Sequence, residues 1–495
     1  MKSARIFEKF LSEVIEHKSK STDCKLRDNI NTMTGHLYFI GIAGHAMRGL
    51  ALAARDNGYR VSGLDPTAIA PGSDWLDEHQ ITWWRKYEPE QLVGVTAIIV
   101  TGSGVSEEHP AIDAARKAGI PVQSFAEFFG RLTSEAEVIA IAGTHGKTTT
   151  ASLIAWLLES AGRHPDFLIG IQPFNFLASV RYGGSTIAVV EGDEYKASAI
   201  DLKSKVQYYH PNTLVLTSVE HDHPDMFPDL AAVEERFREI VANIPTNGQL
   251  IACAESETVM NISKSAPCQV TTYGIKNGDF AARNIAYLPA GLEFEVQHAN
   301  DILGHVAVAT YGHHNVLNTL AAITAVLQQG LSFTEVLVGL ASFKGAYRRF
   351  NIVSAPDSDV AVIDDYAHHP TEVATNIEAV KLHFQHRRIV VIFRPHTYSR
   401  TKALLNDYQT AFDAADLAYI TDIEGAREAE SGHIVSGEDI VKHIRIKATY
   451  EPDRTKLVEH VQAATKPGDV ILCLSVSGHD NLAEELADIS NSPTT

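Results

Sequence analysis

Cysteine is scarce in this 495-residue sequence: there are 4, Cys24, Cys253, Cys268 and Cys473, none in CxxC spacing. That excludes a disulfide-stapled scaffold and predicts a reducing compartment. No run approaches the roughly 20 apolar residues of a membrane helix, and the start MKSARIFEKFLSEVIEHKSKS is charged throughout, without a signal-peptide core. Positive charge is short as well. Lys and Arg number 42 against 61 Asp and Glu, a formal charge of -19. General nucleic-acid or anionic-membrane binding is therefore excluded, and an anionic substrate must be gripped by local cations. The expectation is a cytoplasmic enzyme without nucleic-acid partners or membrane insertion, a monomer or weak homodimer.

Two glycine signatures are missing too. The common Walker pattern needs a glycine five positions before Gly146, where Ile141 stands. What is present, directly after the apolar run VIAIA, is GTHGKTTT. Backbone N–H groups of Gly143, Thr144, His145 and Gly146 at a helix start point at an anion, Lys147 adds charge, and Thr148, followed by Thr149, reaches a metal ion. This predicts a nucleotide phosphate cradle. The dinucleotide fingerprint is also absent, since in HLYFIGIAGHAMRGLALAARDNGYRVSGLD the glycines Gly41, Gly44 and Gly49 fall as GxxGxxxxG. NAD is a poor fit. A nucleotide-linked substrate resting on that helix start suits the same βαβ unit, with Gly41, Gly44, His45, Asp65 and, in the turn of AIIVTGSGVSEEHPAI, Ser103 as candidate contacts.

A chain this long exceeds one core and predicts roughly three units at about 150 residues each. Strand and helix patterns alternate throughout, so the fold class is α/β. Residues 1–34 read as an amphipathic helix (Ile6, Phe7, Phe10, Leu11, Val14, Ile15) with a polar linker, an appendage. A Rossmann-like unit spans 35–133, a central P-loop-type sheet 134–346, and a second Rossmann-like unit 347–495.

Further candidates stand where apolar strands end. Glu191 in VVEGDEY and His223 in VEHDHPD join Thr148 as candidate Mg2+ ligands, because a hard cation takes oxygen donors beside nucleotide phosphates. His221 and His223 lack a third histidine or cysteine at zinc spacing. Asn315 and Asn318 lie one turn apart near the start of a helix in YGHHNVLNTLAAITAVLQQG. In DDYAHHPTE, Asp365 is placed for a ribose hydroxyl and His368 for a substrate, although Asp364 and Asp365 could simply cap the next helix. FRPHTYSRTK supplies Arg394, His396, Arg400 and Lys402, a cationic turn fit for carboxylates. Arg348 and Arg349 sit at the second boundary, where domain closure brings one onto a γ-phosphate.

GTHGKTTT, EGDE, DH, GHHNVLN, RRF and DDYAHHPTE, in this order over about residues 35–480, resemble the Mur ligases, ATP-dependent amino-acid and peptide ligases of bacterial cell-wall synthesis. The resemblance implies a UDP-sugar domain, a central ATPase domain and a domain that brings the amine. It implies ATP and Mg2+ as cofactors, and acyl-phosphate formation on a UDP-muramoyl carboxylate followed by amine attack. Transferred by motif, Lys147 binds phosphate and Thr148, Glu191 and His223 hold metal. Asn315 and Asn318 face adenine, Arg349 contacts phosphate and Asp365 the ribose; Lys147, His223 and Arg349 are the catalytic set. The lysine that several relatives carry some fifteen residues after DH is missing from AAVEERFREIV. The second-unit stretches HPDFLIG, PFNFLAS and EGDEYKASAIDLKSKVQYY resemble the murein peptide ligase branch, which joins UDP-N-acetylmuramate to the recycled tripeptide L-alanyl-γ-D-glutamyl-meso-diaminopimelate. That tripeptide is the expected amine. FRPHTYSRTK and DIEGAREAESGHIVSGEDI instead resemble the branch that adds L-alanine, the alternative.

Overall fold

In a computed structural model, residues 35–68, 70, 72–102, 105–198, 200–426, 428, 435–477 and 481–490 are described, the last two without side chains. The expected N-terminal helix of residues 1–34 lies outside them. Strands His36–Ile40 (β1), Arg60–Leu64 (β2), Thr82–Trp84 (β3), Ala97–Val100 (β4) and Val122–Ser124 (β5) form a parallel sheet in the order β3-β2-β1-β4-β5. The order reverses between β1 and β4, so the loops after their carboxyl ends open a crevice.

The central sheet has ten strands. They are Glu137–Ala142 (β6), Asp166–Leu168 (β7), Val180–Arg181 (β8), Ile187–Glu191 (β9), then, beyond a small hairpin of Lys196–Ser198 (β10) and Asp201–Ser204 (β11), Thr213–Leu216 (β12), Gln249–Cys253 (β13), Gln269–Gly274 (β14), Phe280–Leu288 (β15), Gly291–His298 (β16) and Asp301–Val308 (β17). The order is β17-β16-β15-β14-β13-β12-β6-β9-β7-β8. Strand β6 is flanked by parallel β12 and β9 and is buried from Val138 to Ala142, which explains its continuous apolar sequence. The helices Lys147–Ser160 and His313–Gln328 pack together on this sheet, and both have mostly buried residues rather than one apolar stripe.

The last sheet joins Asn351–Ile352 (β18), Ala361–Asp365 (β19), Ile389–Phe393 (β20), Leu417–Ile420 (β21), Ala448–Tyr450 (β22) and Val470–Leu474 (β23) in the order β18-β19-β23-β20-β21-β22. Apart from the antiparallel β18 edge its strands run parallel. Thus the molecule is a three-part α/β protein. The carboxyl ends of β6, β9 and β12 carry the phosphate loop, Glu191 and the Thr217–Ser218 turn, and the third unit bonds directly to that edge.

The segment FKGAY, residues 343–347, which leads into the expected second boundary, is tied to the central unit. Phe174 N–H donates to Gly345 O at 3.0 Å and Tyr347 N–H to Gln172 O at 3.1 Å, while Asn175 Nδ2 donates to Ser342 O at 2.9 Å.

Candidate active site

Where β6 releases into its loop, Gly143 has φ +134° and Gly146 φ +83°. A Cβ at Gly143 would stand 2.2 Å from Thr217 Oγ1, and one at Gly146 2.3 Å from Asn318 Oδ1. Both backbone angle and space therefore call for glycine. The loop delivers Gly146 as the left-handed cap of the Lys147–Ser160 helix, leaving N–H groups free to face an anion.

Lys147 Nζ donates to Gly143 O at 2.5 Å and Thr144 O at 3.2 Å, and pairs with Glu194 Oε2 at 3.3 Å. Burial opposes its charge, but Glu194, Asp193 and Glu191 outweigh burial and hold the ammonium above its ordinary pKa. Thr148 Oγ1 donates to Glu191 Oε1 at 2.9 Å, and Gly170 N–H holds the other oxygen of Glu191 at 2.8 Å. These two expected metal ligands are thus adjacent. His223, at φ +55°, is grouped instead with Asp193 and Glu194, the ligand atoms of the three lying within 4.8 Å of one another. Glu194, 2 % exposed, was not singled out in the sequence, although it ends the EGDE motif.

The twin arginines and twin aspartates of RRF and DDYAHHPTE divide their work. Arg348 Nε donates to Asp364 Oδ2 at 2.8 Å and its guanidinium also reaches the carbonyls of Ser475 and Val476, a structural pairing inside the third unit. Arg349 leaves that unit, and its Nη2 lies 3.1 Å from Thr148 Oγ1. Asp365 accepts from Phe350 N–H and Ala367 N–H, each at 2.7 Å, and burial, opposed by Arg349, raises its pKa to about 6. A cavity of about 200 Å³ beside the loop is lined by Gly146, Thr149, Asn315, Asn318, Arg349 and Asp365 among others. Asn318 Nδ2 donates to Asn315 Oδ1 at 2.8 Å, and Asn315 Nδ2 to Tyr311 O at 2.7 Å, so the two amides are mutually oriented along one wall.

A larger cleft of about 960 Å³ runs from the loop between all three units, with Thr67 and Ser106 of the first, His223 of the second, and His368, His396 and Arg400 of the third on its walls. Burial lowers the pKa of His368 to about 4, so the ring is neutral. Gly41, Gly44, His45 and Asp65 are not among the cleft's lining residues. Asp65 organises its own turn, accepting from Ala43 N–H at 3.1 Å and from Thr67 N–H and Oγ1 at 3.1 and 2.9 Å. His45 Nδ1 lies 3.0 Å from Arg48 Nη2, and burial with that arginine lowers the His45 pKa to about 4. Ser103 lies outside the described residues.

The cationic turn is also partly committed. Arg400 Nε donates to Asp222 Oδ1 at 2.7 Å and Nη1 meets His396 Nδ1 at 2.8 Å. Arg394 lies 3.9 Å from Glu424 and donates to Ser477 Oγ at 3.2 Å, and it is not among the cleft's lining residues. Lys402 and Lys203 are exposed.

A glycine-bounded phosphate loop, adjacent carboxylate and hydroxyl groups, and a cleft shared by three α/β units fit a nucleotide-binding protein of several α/β units. The comparisons agree. The Mur ligase family catalytic domain matches residues 36–137, the Mur ligase middle domain 141–326, and the Mur ligase glutamate ligase domain 348–476. The UDP-N-acetylmuramate–L-alanine ligase of Clostridium acetobutylicum is 33% identical over 447 residues, 89% of this chain and 95% of that protein. That of Rubrobacter xylanophilus is 34% identical over 457 residues, covering 91% and 99%. Among solved structures, the Psychrobacter arcticus murein peptide ligase aligns at TM-score 0.71 and 26% identity, covering 93% of this chain and 100% of its own. The Thermotoga maritima MurF ligase in complex with ADP shares the fold at TM-score 0.59 and 17% identity, covering 87% and 95%. The chain belongs to the Mur ligase family and is an ATP-dependent, ADP-forming ligase.

The tripeptide expectation is overturned. The curated relatives at 32 to 34% identity over most of the chain are named as ligases of L-alanine, whereas murein peptide ligase is met as a structural neighbour. The site supplies the physical reason. A tripeptide with three carboxylates calls for several cations, but Lys402 and Lys203 face solvent, Arg394 is not on the cleft, and the cleft cations Arg400 and Lys205 already face Asp222 and Asp193.

Proposed function

We propose that this protein joins L-alanine to UDP-N-acetylmuramate, consuming ATP. The observation that carries the reading is the end-to-end likeness to L-alanine ligases, combined with a third-unit turn that brings two groups, His396 and Arg400, to the cleft. In this reading residues 35–133 hold the UDP-sugar, 134–346 the ATP, and 347–495 the amine.

The phosphate loop and Lys147 hold the triphosphate, Asn315 and Asn318 face the adenine, and Asp365 receives the ribose. A carboxylate oxygen of the sugar's lactyl group attacks the γ-phosphorus and ADP leaves. Lys147 and Arg349 carry the charge that develops on the transferring group. The amine nitrogen of alanine then attacks the acyl carbon, phosphate leaves, and the nitrogen loses a proton. His368, neutral and on the cleft wall, is able to accept a hydrogen bond from that nitrogen, and the proton passes to solvent. The oxygen donors Thr148 and Glu191, 2.9 Å apart, fit Mg2+, which when bound would neutralise phosphate charge. The alanine carboxylate is received beside His396, where Arg400, held by Asp222 through Nε, contributes charge from its Nη side.

The test is ADP and phosphate release with ATP, Mg2+, UDP-N-acetylmuramate and L-alanine, with mass spectrometry of the product. Release that requires alanine and a product heavier by one alanine residue support the reading. Release no greater than in the amine-free control overturns it.

A further inference from the structure

His145 stands in the phosphate loop, but its ring serves two other elements. Nδ1 lies 3.0 Å from Glu372 Oε1, on the Pro370–His383 helix of the third unit, and Nε2 lies 3.4 Å from Glu220 Oε2, in the segment after β12. A neutral imidazole has one N–H and one lone pair, so one of these contacts would set a lone pair against a carboxylate. An imidazolium donates to both.

Each partner is independently anchored. The second oxygen of Glu372 accepts from His368 N–H at 3.0 Å and His369 N–H at 3.2 Å, closing the capping box of its helix. Glu220 accepts from Thr371 Oγ1 at 2.7 Å, and its N–H donates to Thr144 Oγ1 at 2.9 Å. The His145 backbone is held by Ser218 Oγ, accepting from its N–H at 2.9 Å, and by Thr217 Oγ1, donating to its carbonyl at 2.6 Å. The loop's main chain therefore belongs to the central unit, and its histidine ring belongs equally to the third.

We propose that His145 is a positioning residue, whose imidazolium draws the third unit through Glu372 onto the formed phosphate loop and so delivers Arg349 to Thr148. The proposal rests on the ligase reading above and assigns His145 a part in closure, distinct from its backbone's part in phosphate binding. Both cavities of the site have His145 on their walls, which puts the clamp on the seam between nucleotide and amine. Burial disfavours the charged ring, but its hydrogen bonds to Glu220 and Glu372 prevail and raise its pKa to about 10. Also facing it are the His369 ring, 4.9 Å away, and His314, both with lowered pKa.

The experiment compares His145→Gln, His145→Arg and Glu372→Gln with the wild type, each first checked for a native circular dichroism spectrum. Expected for H145Q and E372Q is a kcat lower by roughly 10- to 100-fold, the scale of a misplaced catalytic group, with calorimetric affinity for a non-hydrolysable ATP analogue within about threefold. H145R, which keeps charge and donors, recovers much of the rate and holds it to higher pH. Small-angle scattering with analogue and UDP-sugar shows a larger radius of gyration for H145Q than for wild type. The idea is overturned by turnover within twofold of wild type, by ATP affinity falling as far as kcat, or by equal impairment of H145Q and H145R. If H145Q does not fold, E372Q, altered on the opposite unit, decides by the same readouts. If wild type fails to ligate alanine, the alanine reading fails while the ligase assignment stands, and the scattering comparison still tests the clamp.

Discussion

Arg400 and Asp222 form an ion pair between the third and central units, Nε to Oδ1 at 2.7 Å, with side chains 5% and 10% exposed. Burial raises the cost of charge on Asp222, yet His223 and Arg400 hold its carboxyl well below the usual range. Removing one partner leaves the other charged and buried without its ion-pair partner. Arg400→Met and Asp222→Asn should each lower stability by about 3–5 kcal/mol, and the double variant by far less than their sum. Denaturant melts of the four proteins check this, and strict additivity would show the pair to be uncoupled.

Lys147→Gln should abolish ADP formation while the protein still folds. The side chain is 14% exposed and pairs with Glu194, so its loss also touches the packing of the loop. Its removal leaves the carboxylates of Glu194 and Asp193 without their closest cation from the loop. A measurable fall in Tm therefore accompanies the lost activity. Turnover within tenfold of wild type would remove Lys147 from the chemistry.

Gly146→Ala forces a Cβ into a φ of +83° and to 2.3 Å from Asn318 Oδ1. The backbone term alone costs about 1–2 kcal/mol. Displacing Asn318 also disturbs the cavity wall that the proposed function assigns to adenine. Affinity for a fluorescent ATP analogue should fall at least tenfold (about 1.4 kcal/mol), and titration of the folded variant measures it. Unchanged affinity would mean that Asn318 swings aside freely.

His314 has its pKa lowered to about 4 by burial, with further help from His313. Its unfolded counterpart takes a proton near 6.5. The contribution of the neutral ring is therefore fully present above pH 6.5 and is lost as pH falls toward 4. His368 changes in the same direction. His314→Gln should flatten the decline of the guanidinium midpoint between pH 6.5 and 4.5 relative to wild type. An identical slope in both proteins would assign the acid limb to other groups.

The sequence by itself determined the elements whose chemistry is local. GTHGKTTT after a buried strand prescribes the loop, because two positive-φ glycines, a helix start and a lysine are properties of neighbouring residues. The alternation of apolar strands and helices likewise prescribes three α/β units, since period and turn residues are read within short windows. Pairings between distant segments could not be read that way. Nothing in the chemistry of RRF distinguishes Arg348 from Arg349, and only the resemblance to the Mur ligases singles out Arg349. Only packing decides that Arg348 is buried against Asp364 while Arg349 crosses 201 positions to Thr148. In FRPHTYSRTK, four cations look equivalent, yet tertiary structure commits Arg400 to Asp222 across 178 positions and leaves Lys402 in solvent. His145 reads as one more loop residue until the fold sets carboxylates from two units, Glu220 and Glu372, against its two ring nitrogens. Burial, and the charge partners that make burial tolerable, belong to the assembled chain, because desolvation depends on every segment that excludes water from the site.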